Sequence, residues 1–191
     1  MPIKGAGWEM LIVRKAEQRR ASDGRRRTVG TYQVFHDGVP QPGPDMKGSV
    51  AESRGPGTNR PNGNGQRIEE GRYPLFTRNG MNYKTLNYKQ SESVSAKLKP
   101  GFELKSTGRR TEILVHPGRG FLSSVGCINP CASLPNAGEV IAYVPSRRRV
   151  ISLIGDMKGF IGAAFPKSNG KKIPRAFVVI DGEPAYRETA R

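Results

Sequence analysis

Thr111-Glu-Ile-Leu-Val-His116-Pro-Gly-Arg-Gly-Phe-Leu-Ser-Ser-Val-Gly-Cys127-Ile-Asn-Pro-Cys131 is the stretch on which the fold and chemistry of this chain turn. Residues 111–116 read as a short apolar strand, the central buried strand of a sheet, ending at His116. Phe121 to Asn129 then reads as the turn that lifts Cys127 into position. The stretch holds one of two histidines and both cysteines of the 191-residue chain. A thiol needs a neighbouring base to become a nucleophile at neutral pH, and a strand-borne imidazole can serve. Glycines beside the thiol allow close approach of a carbonyl and leave N–H groups for an oxyanion. This pattern predicts a cysteine-dependent acyl-transfer site. Cys127 is its nucleophile and His116 its general base, with the N–H groups of Gly126 and Cys127 as the oxyanion hole. The plainer reading of Cys127 is a buried structural thiol; Gly126 before it and Asn129-Pro130 after it argue for a sharp turn instead.

Outward from that stretch, the chain reads as short strands separated by turn residues. Trp8 to Lys15, with Met10-Leu11-Ile12-Val13, and Thr28 to Phe35 predict an antiparallel hairpin, with turn signals at Asp23-Gly24 and Asp37-Gly38. Residues 39–66 hold Pro40, Pro42, Pro44, Pro56 and Pro61 with no regular periodicity, and predict a long surface loop bordering the site or a disordered one. Further strands are expected at Gly71 to Phe76, Lys84 to Tyr88 and Gly101 to Leu104. Asn136 to Val144 carries a short helical stripe. Pro145-Ser146 then offers a helix start with Ser146 as N-cap. Val150, Ile151, Leu153, Ile154, Met157 and Ile161 recur at helical spacing to about Ala164. Phe177-Val178-Val179-Ile180 reads as a strong final strand, closed by Asp181-Gly182. The expected class is mainly β with one or two helices near the C-terminus, as a sandwich or barrel-like sheet. The organisation is a catalytic domain over 1–135 and a C-terminal extension, helix then strand, packed on it over 136–191.

Composition narrows the partners. Hydrophobic residues make up 35%, Gly 24 and Pro 15, which favours a loop-rich β architecture. No apolar run reaches the ~20 residues of a membrane-crossing helix, and the first 21 residues lack the apolar core of a Sec signal. The net charge of +16 draws the chain to polyanions without identifying one. Its clusters, Arg19-Arg20, Arg25-Arg26-Arg27, Arg109-Arg110 and Arg147-Arg148-Arg149, form no recognisable nucleic-acid motif. Two cysteines and two distant histidines do not make a zinc site, and neither a metal nor a cofactor is expected. Cys131 is a free thiol or the partner of Cys127 in an oxidative off-switch. Arg119 is a carboxylate clamp or a solvated loop cation.

Val115-His116 followed by Ser124-Val125-Gly126-Cys127-Ile128-Asn129 resembles the signature of YkuD-type L,D-transpeptidases. It is similar in particular to a shortened form found in type VI secretion effectors and small phage or bacterial domains. Arg67-Ile68-Glu69-Glu70-Gly71-Arg72-Tyr73-Pro74 and the first hairpin extend the likeness over residues 8–131. No histidine follows Cys127, whereas papain-like and NlpC-type cysteine peptidases place theirs downstream. The chain departs from the family at Val125, where a second histidine is usual, and in its shorter His-to-Cys spacing.

The resemblance implies a YkuD-like sheet. It implies His116 oriented by the main-chain oxygen of Pro117, with Glu112 a weaker candidate for that role. Ser124 would support the loop and Asn129 would lie at the substrate. The implied reaction is acyl transfer on peptidoglycan stem peptides: transpeptidation, carboxypeptidation or D-amino-acid exchange. Such a protein, made in the cytoplasm without a Sec signal, acts in the periplasm or cell wall once exported or delivered. A secretion machine or a cognate immunity protein is then its partner. The rival expectation is a basic protein that binds nucleic acid or a larger assembly, with the site inert.

Overall fold

Trp8, Met10 and Ile12 alternate with Glu9, Leu11 and Val13, and that two-residue period buries one apolar face of β1 (Trp8–Arg19). The computed structural model describes residues 2–185. β2 (Arg26–His36) returns antiparallel along all of β1, with a bulge between Arg14 and Ala16. The predicted hairpin is present and longer than expected at both ends. At its far end Asp37 (φ 44°) and Gly38 (φ 86°) form a two-residue turn with both central residues left-handed, leading into β3 (Val39–Pro40) on β2.

The long loop expected over residues 39–66 is interrupted by a strand. β4 (Lys47–Ser53) pairs with β2 from Gln33↔Lys47 to Arg27↔Ser53. Val50 and Ala51 are its only apolar residues, too few to show alternation in sequence. Its place is set by the exposed edge of β2, which supplies a full ladder of backbone partners.

The remaining strands are β5 (Gly71–Thr77), β6 (Tyr83–Lys84), β7 (Lys99–Pro100), β8 (Phe102–Leu104), β9 (Ile113–Val115), β10 (Asn129–Cys131) and β11 (Lys172–Asp181). The sheet order is β10-β4-β2-β1-β11-β5-β8-β9, with β3 beside β2; β6 and β7 form a separate pair. β11 lies between β1 and β5, parallel to β1. The sheet nearly closes. Ile128 N–H donates to Leu114 O at 2.8 Å, and His116 N–H to Ile128 O at 3.1 Å, joining β9 to the residue that precedes β10. The strand over residues 111–116, expected at the centre, is therefore the seam of a barrel-like sheet. It is buried all the same, because its two open edges meet there.

α1 (Tyr143–Ile161) supplies Val150, Leu153, Ile154 and Met157 to the core formed by Trp8, Met10, Leu75, Phe102 and Val178. Each fully buried side chain of this kind contributes roughly 1.5–3 kcal/mol. The helix begins before the expected Ser146 cap. Ala142 is the cap residue, without a side-chain bond, and Pro145 falls in the first turn where its missing N–H is tolerated. The stripe over Asn136 to Val144 is mostly loop, and among the described residues no helix starts before Tyr143. Gly162 (φ 62°) ends α1 and starts the 3-10 turn η1 (Gly162–Ala164).

Part of the positive charge is internal. Arg14 holds Glu52 through Nε and Nη2, both at 2.8 Å. Arg67 pairs with Glu17 at 2.8 Å and Glu183 at 2.6 Å. Arg27, Arg110, Arg147 and Arg149 are buried and donate to main-chain carbonyls, so three of the basic sequence clusters are only partly surface. Among the described residues no helix is long and apolar enough to cross a membrane.

Candidate active site

Leu114 and His116 share one face of the seam strand, opposite the core face of Ile113 and Val115. Because Val115 pairs with Ile128, Cys127 and Asn129 lie on that same outer face, flanking the pairing. Cys127 stands beside Leu114, whose N–H donates to its sulfur, and Asn129 beside His116, so the two reactive side chains share a face two residues apart along the seam.

His116 is buried, with Nδ1 2.9 Å from the Pro117 carbonyl oxygen. A carbonyl only accepts, so Nδ1 carries the proton and Nε2 the lone pair. This is the arrangement expected for Pro117. Burial lowers the His116 pKa to about 4, offset in part by the Pro117 contact and reinforced by Lys99, so the ring is neutral at pH 7. Tyr83 covers it, ring centroids 4.5 Å apart. Glu112 does not orient the ring; its carboxylate pairs with Arg78.

The Cys127 Sγ donates to Glu112 O and accepts from Leu114 N–H, both at 3.4 Å. Among the described residues no hydrogen bond joins it to His116. Burial pushes the thiol up to about 11, against the opposing effects of the Leu114 N–H and Arg110. The resting pair is therefore a neutral thiol and a neutral imidazole, each held by main chain.

The loop around Cys127 is built from residues that the sequence reading weighted differently. Gly126 has φ 105°, and a Cβ there would collide with the Arg110 guanidinium. Its N–H donates to Ser53 Oγ at 2.8 Å, so it is occupied and not free for an oxyanion; the Cys127 N–H has no partner among the described residues. Ser124 Oγ donates to Cys127 O at 2.6 Å and holds the turn. Val125 is exposed and brings no donor. Asn129, expected at the substrate, is fully buried: its Nδ2 donates to His116 O at 3.2 Å and its Oδ1 accepts the Ser123 N–H at 3.2 Å. It is a positioning residue. Cys131 is buried beside Ala51 and Leu134, and both cysteines are free thiols.

Three further residues escaped the sequence reading. Arg110 donates to Thr58 O, Gln66 O and Val125 O, tying the Cys127 turn to the 58–66 segment. Ser146 Oγ accepts from Gly118 N–H at 2.8 Å and donates to Pro130 O at 2.6 Å, joining α1 to both sides of the site. Tyr83 is the third. Of these, only Ser146, predicted as a cap, carried any sequence signal. Beside His116 opens a cleft of about 720 Å³, lined by Pro117, Arg119, Tyr83, Lys99 and Tyr143 among others. Arg119 is exposed on its wall, and Cys127 lies outside it. His36 is elsewhere, paired with Asp156 at 2.8 Å. Among the described residues no group of three or more His, Cys, Asp or Glu side chains stands together.

Comparison of the chain with protein-family models, with curated proteins and with solved structures finds no match.

Proposed function

We propose that this chain is a cysteine-dependent acyltransferase of the L,D-transpeptidase kind, acting on peptidoglycan stem peptides. The observation that carries the reading is His116 with Nδ1 fixed by Pro117 O, one strand pairing away from Cys127 on the same face. That fixes the base tautomer with Nε2 as proton acceptor.

In this reading the Cys127 thiol leaves Glu112 O by rotation about its Cα–Cβ bond when substrate displaces it. The S–H proton passes to His116 Nε2 as sulfur attacks the carbonyl carbon at the L-centre of the diacid residue. The Cys127 N–H steadies the resulting oxyanion. The C–N bond to D-alanine then breaks, the imidazolium returns its proton to the leaving amine, and a thioester remains on sulfur. An acceptor amine resolves it by cross-linking or exchange, and water resolves it by hydrolysis. Peptidoglycan lies outside the cytoplasm, so the reading requires export or delivery.

The test is incubation with tetrapeptide-stem muropeptides and detection of released D-alanine by mass spectrometry. Release by the native chain and none by Cys127→Ala is expected. No release by either protein contradicts the proposal.

A further inference from the structure

Four cations line the cleft beside His116, and among the described residues no carboxylate lines it. Arg20, Arg25, Lys99 and Arg119 stand on its walls with the aromatic rings of Tyr83, Phe121 and Tyr143. Arg20 is answered by Asp23, with Nε 2.9 Å from Oδ1. Arg25 donates to a carbonyl, Leu122 O, at 3.4 Å and lies 5.9 Å from the Phe121 ring centroid, and its charge also acts on Asp23. Lys99 and Arg119 have no acidic partner within ion-pair distance among the described residues. They also act on each other: the Arg119 charge, after burial, helps to lower the Lys99 pKa. Like charges held together without a counter-ion destabilise the free protein, and an anion between them relieves that cost.

The wall is set for such a ligand in other respects. The Arg119 loop is braced, since Ser123 Oγ accepts from Arg119 N–H and donates to Arg119 O, both at 2.9 Å. Arg20 and Arg27 guanidinium groups lie 4.7 and 4.4 Å from the Phe121 ring centroid, fixing the other side. Tyr143, the first residue of α1, has a buried hydroxyl without a partner, and the first turn of that helix carries no acidic residue. The cleft therefore offers two pairs of cations, Lys99 with Arg119 and Arg20 with Arg25.

We propose that this cleft binds a ligand bearing two or more phosphate groups, spanning from Lys99 and Arg119 to Arg20 and Arg25. Guanidinium forks match phosphate oxygens two at a time, and a ligand of several closely spaced charges answers both pairs where a single carboxylate answers one. The inference is independent of acyl transfer, because the binding site does not include Cys127.

Isothermal titration of the full chain with sodium tripolyphosphate tests it, with citrate as the carboxylate comparison. The native chain is expected to bind one equivalent saturably, more tightly than citrate, and more weakly as NaCl rises from about 50 to about 200 mM. Lys99→Ala with Arg119→Ala weakens binding roughly tenfold or more. Removing the same charge at the exposed Lys171 and Lys172 leaves it unchanged. The single exposed substitution Arg119→Glu gives the same loss without touching Lys99. No saturable binding by the native chain, citrate binding as tightly as tripolyphosphate, or equal losses in the two double variants would each overturn the proposal.

Discussion

The Pro117 carbonyl oxygen stands 2.9 Å from Nδ1 of His116 and fixes which ring nitrogen holds the proton. With the pKa lowered by burial to about 4, the ring stays neutral through the physiological range. The folded state therefore binds this proton less readily than the unfolded chain. The associated stability is complete above about pH 6.5, the ordinary value, and is lost as pH falls towards 4. The loss amounts to about 3 kcal/mol for a shift of this size. Urea titrations at pH 7 and pH 4 on the native chain and His116→Gln measure it; the variant's stability should fall less between those pH values.

The thiol of Cys127 answers to main chain, and its reactivity should reflect that. Its pKa of about 11 leaves little thiolate at neutral pH, so alkylation by iodoacetamide should rise steeply from pH 8 to 11. His116→Ala should leave that profile of the free protein unchanged, since no hydrogen bond joins the two side chains. Peptide mapping by mass spectrometry separates Cys127 from the buried Cys131. An alkylation midpoint near pH 7 that His116→Ala abolishes would show a thiolate–imidazolium pair in the free protein.

Gly126 cannot be replaced without moving its neighbours. Alanine would meet the Arg110 guanidinium and adopt a φ of 105° that L-residues avoid. Gly126→Ala should destabilise the fold by more than about 2 kcal/mol, read as a lowered denaturation midpoint.

Ser146 tests whether α1 fixes the site. Ser146→Ala removes the bonds to Gly118 N–H and Pro130 O and leaves both groups buried and unpaired. The expected cost is on the order of 2 kcal/mol, with faster amide exchange at Gly118. A loss confined to the helix N-terminus, with Gly118 exchange unchanged, would restore Ser146 to the role of a cap.

The elements legible in sequence were those with a local period. Met10-Leu11-Ile12-Val13, Phe177 to Ile180 and the stripe from Val150 to Met157 carry alternation or helical spacing, and each forms the expected element. β4 was not legible, because its pairing is dictated by the free edge of β2 and by Asn129 to Cys131, which are remote in sequence. The same non-local pairing turned the 111–116 strand from a centre into a seam. At the site, His116, Pro117 and Ser124 could be read from one contiguous motif. Arg110, Tyr83 and Ser53 come from separate segments with no periodic signal. Asn129 was expected at the substrate, yet its buried amide is the link between His116 and the Ser123 loop.

Intact-protein mass spectrometry after brief exposure to a tetrapeptide-stem muropeptide, quenched in acid, reads the central step directly. A mass increase equal to the acyl donor less D-alanine is expected, mapped to Cys127, absent in Cys127→Ala and greatly slowed in His116→Ala. An unmodified Cys127 under conditions where a known L,D-transpeptidase is acylated would contradict it.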